Sequence, residues 1–303
     1  MSTMRPRDAA LLASVAALWG FNFVPIRWAL DEVPPFALAA MRFLLAAVPM
    51  VFFVRRPAIP ARIVIAYGLA IGVGQFGLLF LAIRLGMQAG LASLLIQVQV
   101  FFTIALAAAS LGDRVTRAQV AGACLAAIGV AALVGEKVGS GARSSALGLL
   151  LLLAAALSWA AGNVLAKHAA RAHDRDAFAL VVWSSLAPPI PLAILSYATE
   201  GGLSPLAALA HASWVAWASI VFMAAAATLW GFAVWNRMLD RYSAGAVTPF
   251  ALLVPVAGIA SATLLLREPL SVVEVASALV ILAGLAVALL WRPTTRAPTP
   301  ARA

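Results

Sequence analysis

From Asp8 to Trp291 the chain is a nearly unbroken succession of apolar stretches, each about 20 residues long, separated by short clusters of Arg, Asp, Gly and Pro. A helix of that length spans the hydrocarbon core of a bilayer. Lipid offers no water to backbone N–H and C=O groups, so only helices or a closed β-barrel can cross it. None of these stretches alternates apolar and polar residues as barrel strands do. The pattern predicts an all-α integral membrane protein.

Composition agrees: 64% of residues are hydrophobic and 11% charged, against about 25% charged in soluble domains, and the mean hydropathy is +1.01. The breaks are too short to hold a soluble domain. Hydropathy places ten spans at about 9–29, 35–54, 62–84, 89–110, 117–135, 146–167, 177–197, 212–235, 244–266 and 271–291. Arg5 and Arg7 precede the first, as in a signal peptide, but that run continues without a small-residue cleavage site and reads as a retained span.

The chain repeats itself. Residues 89–134 align without a gap on 244–289, so that Ala89-Gly90 falls on Ala244-Gly245, Asp113 on Glu268, Thr116 on Ser271 and Gly129 on Gly284. Leu157 to Lys167 likewise restates Leu18 to Arg27, with Trp19 and Arg27 spaced as Trp159 and Lys167 are. Each half holds five spans, and an odd number makes the second half enter from the opposite side. The expected architecture is ten transmembrane helices in two inverted five-helix repeats. It divides into a cytoplasmic segment 1–8, a first repeat 9–135, a linker 136–145, a second repeat 146–291 and a cytoplasmic tail 292–303.

A cytoplasmic N-terminus leaves Arg27, Arg84, Lys137, Arg143 and Arg267 outside and Arg42 within a span, and puts the other fifteen of the 21 Lys and Arg inside. That bias predicts both termini in the cytoplasm. The net charge of +10 and pI near 11.3 come from residues at span ends, which suits lipid head groups and not nucleic acid.

Few polar residues lie inside spans. Trp19 and Asn22 are three apart and Trp159 and Asn163 four apart, so each pair shares a helix face. An Asn in lipid needs a partner, whether a neighbouring helix or cargo. Trp19 reads as packing or an interfacial ring. Arg42 lies roughly 10 Å from the outer end of the second span. Intramembrane charge marks a functional site by default, and a guanidinium can receive a carboxylate; the alternative is a side chain that snorkels outward or bonds a helix C-terminus.

Gln75, Gln97 and Gln99 add uncharged donors and acceptors. Gln97 and Gln99 are about 200° apart around a helix, so they cannot both face one small cavity and at least one is structural. Phe76, Phe101 and Phe102 read as packing. Pro249 and Pro255 remove backbone donors from the ninth span and are candidates for a gate, with a static kink as the alternative. Gly68 with Gly72, and Gly86 with Gly90, have the spacing that brings helices together.

No catalytic or metal-ligating constellation appears, and no cofactor is expected. Gly139-Ser140-Gly141 lacks the Lys-Ser/Thr of a phosphate loop. The single Cys124 offers no disulfide or metal cluster. Glu274 is the one acid within an apolar stretch, and His168, His173 and His211 lie near loops, which leaves proton coupling open.

Leu18-Trp-Gly-Phe-Asn-Phe-Val, Met41-Arg-Phe, Gly90-Leu-Ala-Ser, the run from Gln97 to Thr103, Ser158-Trp-Ala-Ala-Gly-Asn163 and Leu252-Leu-Val-Pro-Val256 resemble the EamA branch of the drug/metabolite transporter superfamily over nearly the whole chain. The resemblance implies two inverted EamA repeats, an inner-membrane location, and efflux of small metabolites, particularly amino acids and derivatives such as cysteine and O-acetylserine. Where that family often has Gly-Glu after the fourth span, this chain has Gly112-Asp113 and, later, Arg267-Glu268-Pro269, so the acid reads as closing a turn.

The expected function is an alternating-access exporter of small polar metabolites, contacted by Asn22, Arg42, Gln75, Gln97, Gln99, Trp159 and Asn163. The expected partners are that small molecule and the bilayer. An exporter of drugs, sugars or organic cations on the same fold is the alternative, and Arg42, with no embedded acid opposite, argues against cations. An enzyme lacks a catalytic constellation, and a receptor lacks an extramembrane domain.

Overall fold

The computed structural model describes residues 4–139, 143–172, 177–242 and 244–290. His173, Ser140 with Gly141, the centre of the expected linker 136–145 and the tail 292–303 lie outside the described residues. Every regular element described is helical, and ten helices are long and apolar enough to cross a membrane: α1 Pro6–Glu32, α2 Pro35–Phe52, α3 Ala61–Arg84, α4 Ala89–Leu111, α5 Arg117–Glu136, α6 Ala146–Ala169, α7 Ala177–Thr199, α8 Trp214–Met238, α9 Thr248–Leu266 and α10 Val272–Leu290.

Where the helix ends depart from the hydropathy reading, local chemistry explains it. Pro6 sits in the first turn of α1, where its missing N–H is harmless, and α1 runs on through Asp31 and Glu32 before Pro34 and Pro35 stop it. Charge at these ends lowers hydropathy without breaking the helix. The α8 helix begins at Trp214 because Ser213 caps it, accepting from Ala216 N. Pro249 confines the start of α9 to a 3₁₀ turn, Thr248–Leu252, with a separate short helix Ala244–Val247 ahead of it.

The packing interleaves the two halves. Spans α1 and α9, α6 and α4, α1 and α8, and α6 and α3 pack together, as do α2 with α7, α4 with α9, and α5 with α10. Exchanging each span for the one five places away returns the same set of pairs, which is the mark of a pseudo-two-fold axis. Local distortions obey it too. Both α3 and α8 widen into π-helical segments, Leu69–Gly77 and Phe222–Trp230. Gly112 and Arg267, equivalent in the repeat, both take left-handed conformations with φ of 69° and 54°.

After those two residues, Thr116 with Gln119 and Ser271 with Glu274 form reciprocal capping boxes that start α5 and α10. Glu274 is therefore placed to close a helix start.

One end of the bundle is fastened by carboxylates on helix N-termini. Glu200 accepts from Phe36 N and Ala37 N, Glu268 from Ala89 N and Gly90 N, and Glu32 from Ser213 N. Each satisfies N–H groups that a helix cannot satisfy itself, at the positive end of its dipole. At the other end Lys167 pairs with Asp113, and the Tyr242 hydroxyl donates to Asp8.

Glycine sets the closest approaches. A Cβ on Gly122 of α5 would lie 2.4 Å from the Gly284 carbonyl of α10, and Gly68 and Gly72 press as tightly on Ser184 and Pro188 of α7. The expectation for Gly86 fails. Its φ is +98° with nothing within 4 Å of a built Cβ, so it serves the α3–α4 turn, and only Gly90 of that pair packs against another helix.

Candidate substrate site

The widened segments of α3 and α8 turn carbonyls away from the ordinary helical ladder. Ser158 of α6 donates to Ala70 O at 2.9 Å, and Trp19 of α1 donates through Nε1 to Ala227 O at 2.8 Å. Each repeat thus sends its first helix into the wide turn of the other repeat. Trp19 also packs against Phe232 and Trp235 with its ring tilted to theirs, which fits packing rather than an interfacial ring. In the same turn Thr228 donates back to Met223 O at 2.9 Å, leaving its oxygen free to accept.

Arg42 fills that vacancy. Its Nη2 donates to Thr228 Oγ1 at 3.1 Å, and its guanidinium carbon lies 3.8 Å from the ring centroid of Phe76. The residue is 2% exposed, so it points into the bundle and does not snorkel. Its Nε and Nη1 have no hydrogen-bond partner, and no carboxylate pairs with it among the described residues. A hydroxyl and an aromatic face steady a buried cation without neutralising it.

Four buried amide oxygens are also unfilled: Asn22 Oδ1 on α1, Gln75 Oε1 on α3, Gln97 Oε1 on α4 and, at the turn between α3 and α4, Gln88 Oε1. Asn22 sits where α1 loosens, because Pro25 has no N–H for the Phe21 carbonyl. Gln97 donates through Nε2 to Ala251 O at 3.2 Å. That carbonyl is the one Pro255 leaves without its i+4 donor. An unfilled buried polar atom costs about 1–3 kcal/mol, so each of these atoms is suited to a polar guest.

Gln99, Thr103 and Asn163 form a closed set. Asn163 donates to Gln99 Oε1 at 2.7 Å and to Thr103 Oγ1 at 3.1 Å, joining α6 to α4. Gln97 and Gln99 reach different helices, as their angular separation requires. Trp159 is half-buried against the main apolar core. Pro249 belongs to the 3₁₀ start of α9, and Pro255 is buried within it.

A small cavity, with room for about one water, lies among α2, α3, α7 and α8, lined by Phe43, Tyr67, Phe76, Ser184, Thr228 and Phe232 among others. Phe43, Phe76 and Thr228 are the residues that surround the Arg42 guanidinium. Sequence reading missed Thr228, because a Thr in a span ordinarily bonds its own helix. It also missed Glu32 and Glu200, whose partners lie on distant segments.

A family model described as the EamA-like transporter family matches residues 8–135 and again 146–290. The chain belongs to the EamA-like transporter family. Each EamA-like match contains five spans. A "Probable amino-acid metabolite efflux pump" of Salmonella typhimurium is 43% identical over 93% of this chain and 94% of its own, and one of the same name from Escherichia coli is 41% identical over 97% and 99%. A "Probable terminal-alkyne amino-acid exporter" of Streptantibioticus cattleyicolor is 29% identical over 81% of this chain and 80% of its own.

A solved crystal structure has a similar fold, with a TM-score of 0.64 and 20% identity over 98% of this chain and 100% of that one. The EamA-like chain is thus a multi-pass membrane transporter of small molecules and not an enzyme.

Proposed function

We propose that the chain exports amino acids and their derivatives, with cysteine and O-acetylserine as the reference cargo, from the cytoplasm across the inner membrane by alternating access. The observation that carries this reading is the set of unfilled buried polar atoms within the spans on Asn22, Arg42, Gln75 and Gln97. A guanidinium and amide oxygens complement the charged ends of an amino acid. The names of the relatives from Salmonella typhimurium and Escherichia coli support the same class of cargo.

In this reading Gln99, Trp159 and Asn163 complete the cargo path, and Asn163 exchanges its bonds to Gln99 and Thr103 for cargo during the cycle. The repeats 9–135 and 146–291 rock about the pseudo-two-fold axis, and Pro249 and Pro255 serve the gate on α9. The excess of Lys and Arg at the Lys167 end supports a cytoplasmic position for that end and both termini. The carboxylate-fastened end then faces the exterior.

Full-length protein in sealed liposomes should move labelled cysteine or O-acetylserine above protein-free controls. Movement of neither would remove the amino-acid assignment.

A further inference from the structure

We infer that Arg42 is a carboxylate anchor, so that the transporter requires a free carboxylate on its cargo; this rests on the export reading above and narrows it. The guanidinium carries donors on three nitrogens in a planar fork. Only Nη2 has a partner, Thr228 Oγ1, while Nε and Nη1 are buried and unfilled. The Phe76 ring covers one face at 3.8 Å and Phe43 stands 5.9 Å away. Those aromatic walls fix the plane of the fork and keep water from it, which strengthens any charge-assisted bond made there.

A small cavity lies beside this fork. Its serine and threonine hydroxyls are already committed: Ser184 and Ser185 both donate to Val181 O, and Thr228 donates to Met223 O. The lining at Phe43, Ile71, Phe76, Val181 and Phe232 is apolar, and among the described residues no carboxylate pairs with Arg42. A buried cation without a counter-ion favours an anionic group and repels an ammonium left by decarboxylation. The ligand is therefore a small monocarboxylate.

The test is competition against labelled cysteine exchange in liposomes holding the full chain, under reducing conditions. The competitors are unlabelled cysteine, N-acetylcysteine, cysteine methyl ester and cysteamine. Cysteine and N-acetylcysteine should compete, while the ester and the amine should be weaker by at least about tenfold. Arg42→Gln should lose this preference, and Arg42→Lys, which keeps the charge without the fork, should retain part of it. Thermal melting of each variant in detergent separates loss of fold from loss of recognition, and the acid-to-ester ratio in the unaltered protein needs no variant.

An ester that competes as well as the acid overturns the anchor while the amino-acid reading stands. If direct flux measurements show N-acetylcysteine carried and cysteine not, the anchor stands and the amino-acid reading falls. A folded Arg42→Gln protein that keeps the full acid-to-ester preference also overturns the anchor.

Discussion

Gln97 Nε2 lies 3.2 Å from the carbonyl oxygen of Ala251, joining α4 to α9 across the two repeats. Pro255 makes the bond available by withholding the N–H that Ala251 would otherwise accept. Pro255→Ala restores that donor, straightens α9 and competes with Gln97. The expected outcome is a higher melting temperature with slower exchange, measured by thermal shift and liposome flux. Unchanged flux in this variant would remove Pro255 from the gate.

Arg42 is a buried charge without a counter-ion, and replacing such a group with an apolar one of similar volume is often neutral or stabilising. Arg42→Met should melt no lower than the unaltered protein, yet lose cysteine transport. A variant that unfolds would instead make the guanidinium a structural support for Phe76 and Thr228.

Glu268 holds two first-turn N–H groups of α4, those of Ala89 and Gly90, at 2.8 and 3.0 Å. Glu268→Ala leaves both without that acceptor, a loss of about 1–3 kcal/mol for buried donors. Melting in detergent should fall accordingly, with Glu268→Gln intermediate because its amide oxygen keeps one bond.

Gly122 and Gly284 let α5 and α10 touch backbone to backbone, and a Cβ at either meets the other's carbonyl oxygen at 2.4 to 2.5 Å. Gly122→Leu should sharply reduce folded yield on size-exclusion chromatography. Gly135→Ala in the same helix, where a Cβ meets nothing within 4 Å, should be tolerated.

Arg27 and Lys167 lie toward opposite ends of the bundle, beside Asp31 and Asp113 respectively. With Cys124 first replaced by Ala, Arg27→Cys should react with an impermeant maleimide in intact cells and Lys167→Cys only after permeabilisation. The reverse result would invert the assigned orientation.

The sequence by itself determined the ten helices, because lipid leaves an apolar chain without barrel alternation no other way to satisfy its backbone. It also determined the repeat: the alignment of Asp113 with Glu268 and Thr116 with Ser271 recurs in space as matched left-handed turns and capping boxes. A cation at Arg42 was visible as an oddity in α2, as were Asn22, Gln75 and Gln97 in their own spans.

Only the tertiary structure decided what those residues meet. Arg42 bonds Thr228 from the other repeat, Asn163 is held by Gln99 and Thr103, and the carboxylates at one end find helix N-termini far along the chain. Local patterning fixes which groups need a partner, since burial in lipid is a property of each segment. Which partner each one finds depends on how two inverted halves interleave, and that is set by packing between helices whose apolar surfaces look alike in sequence.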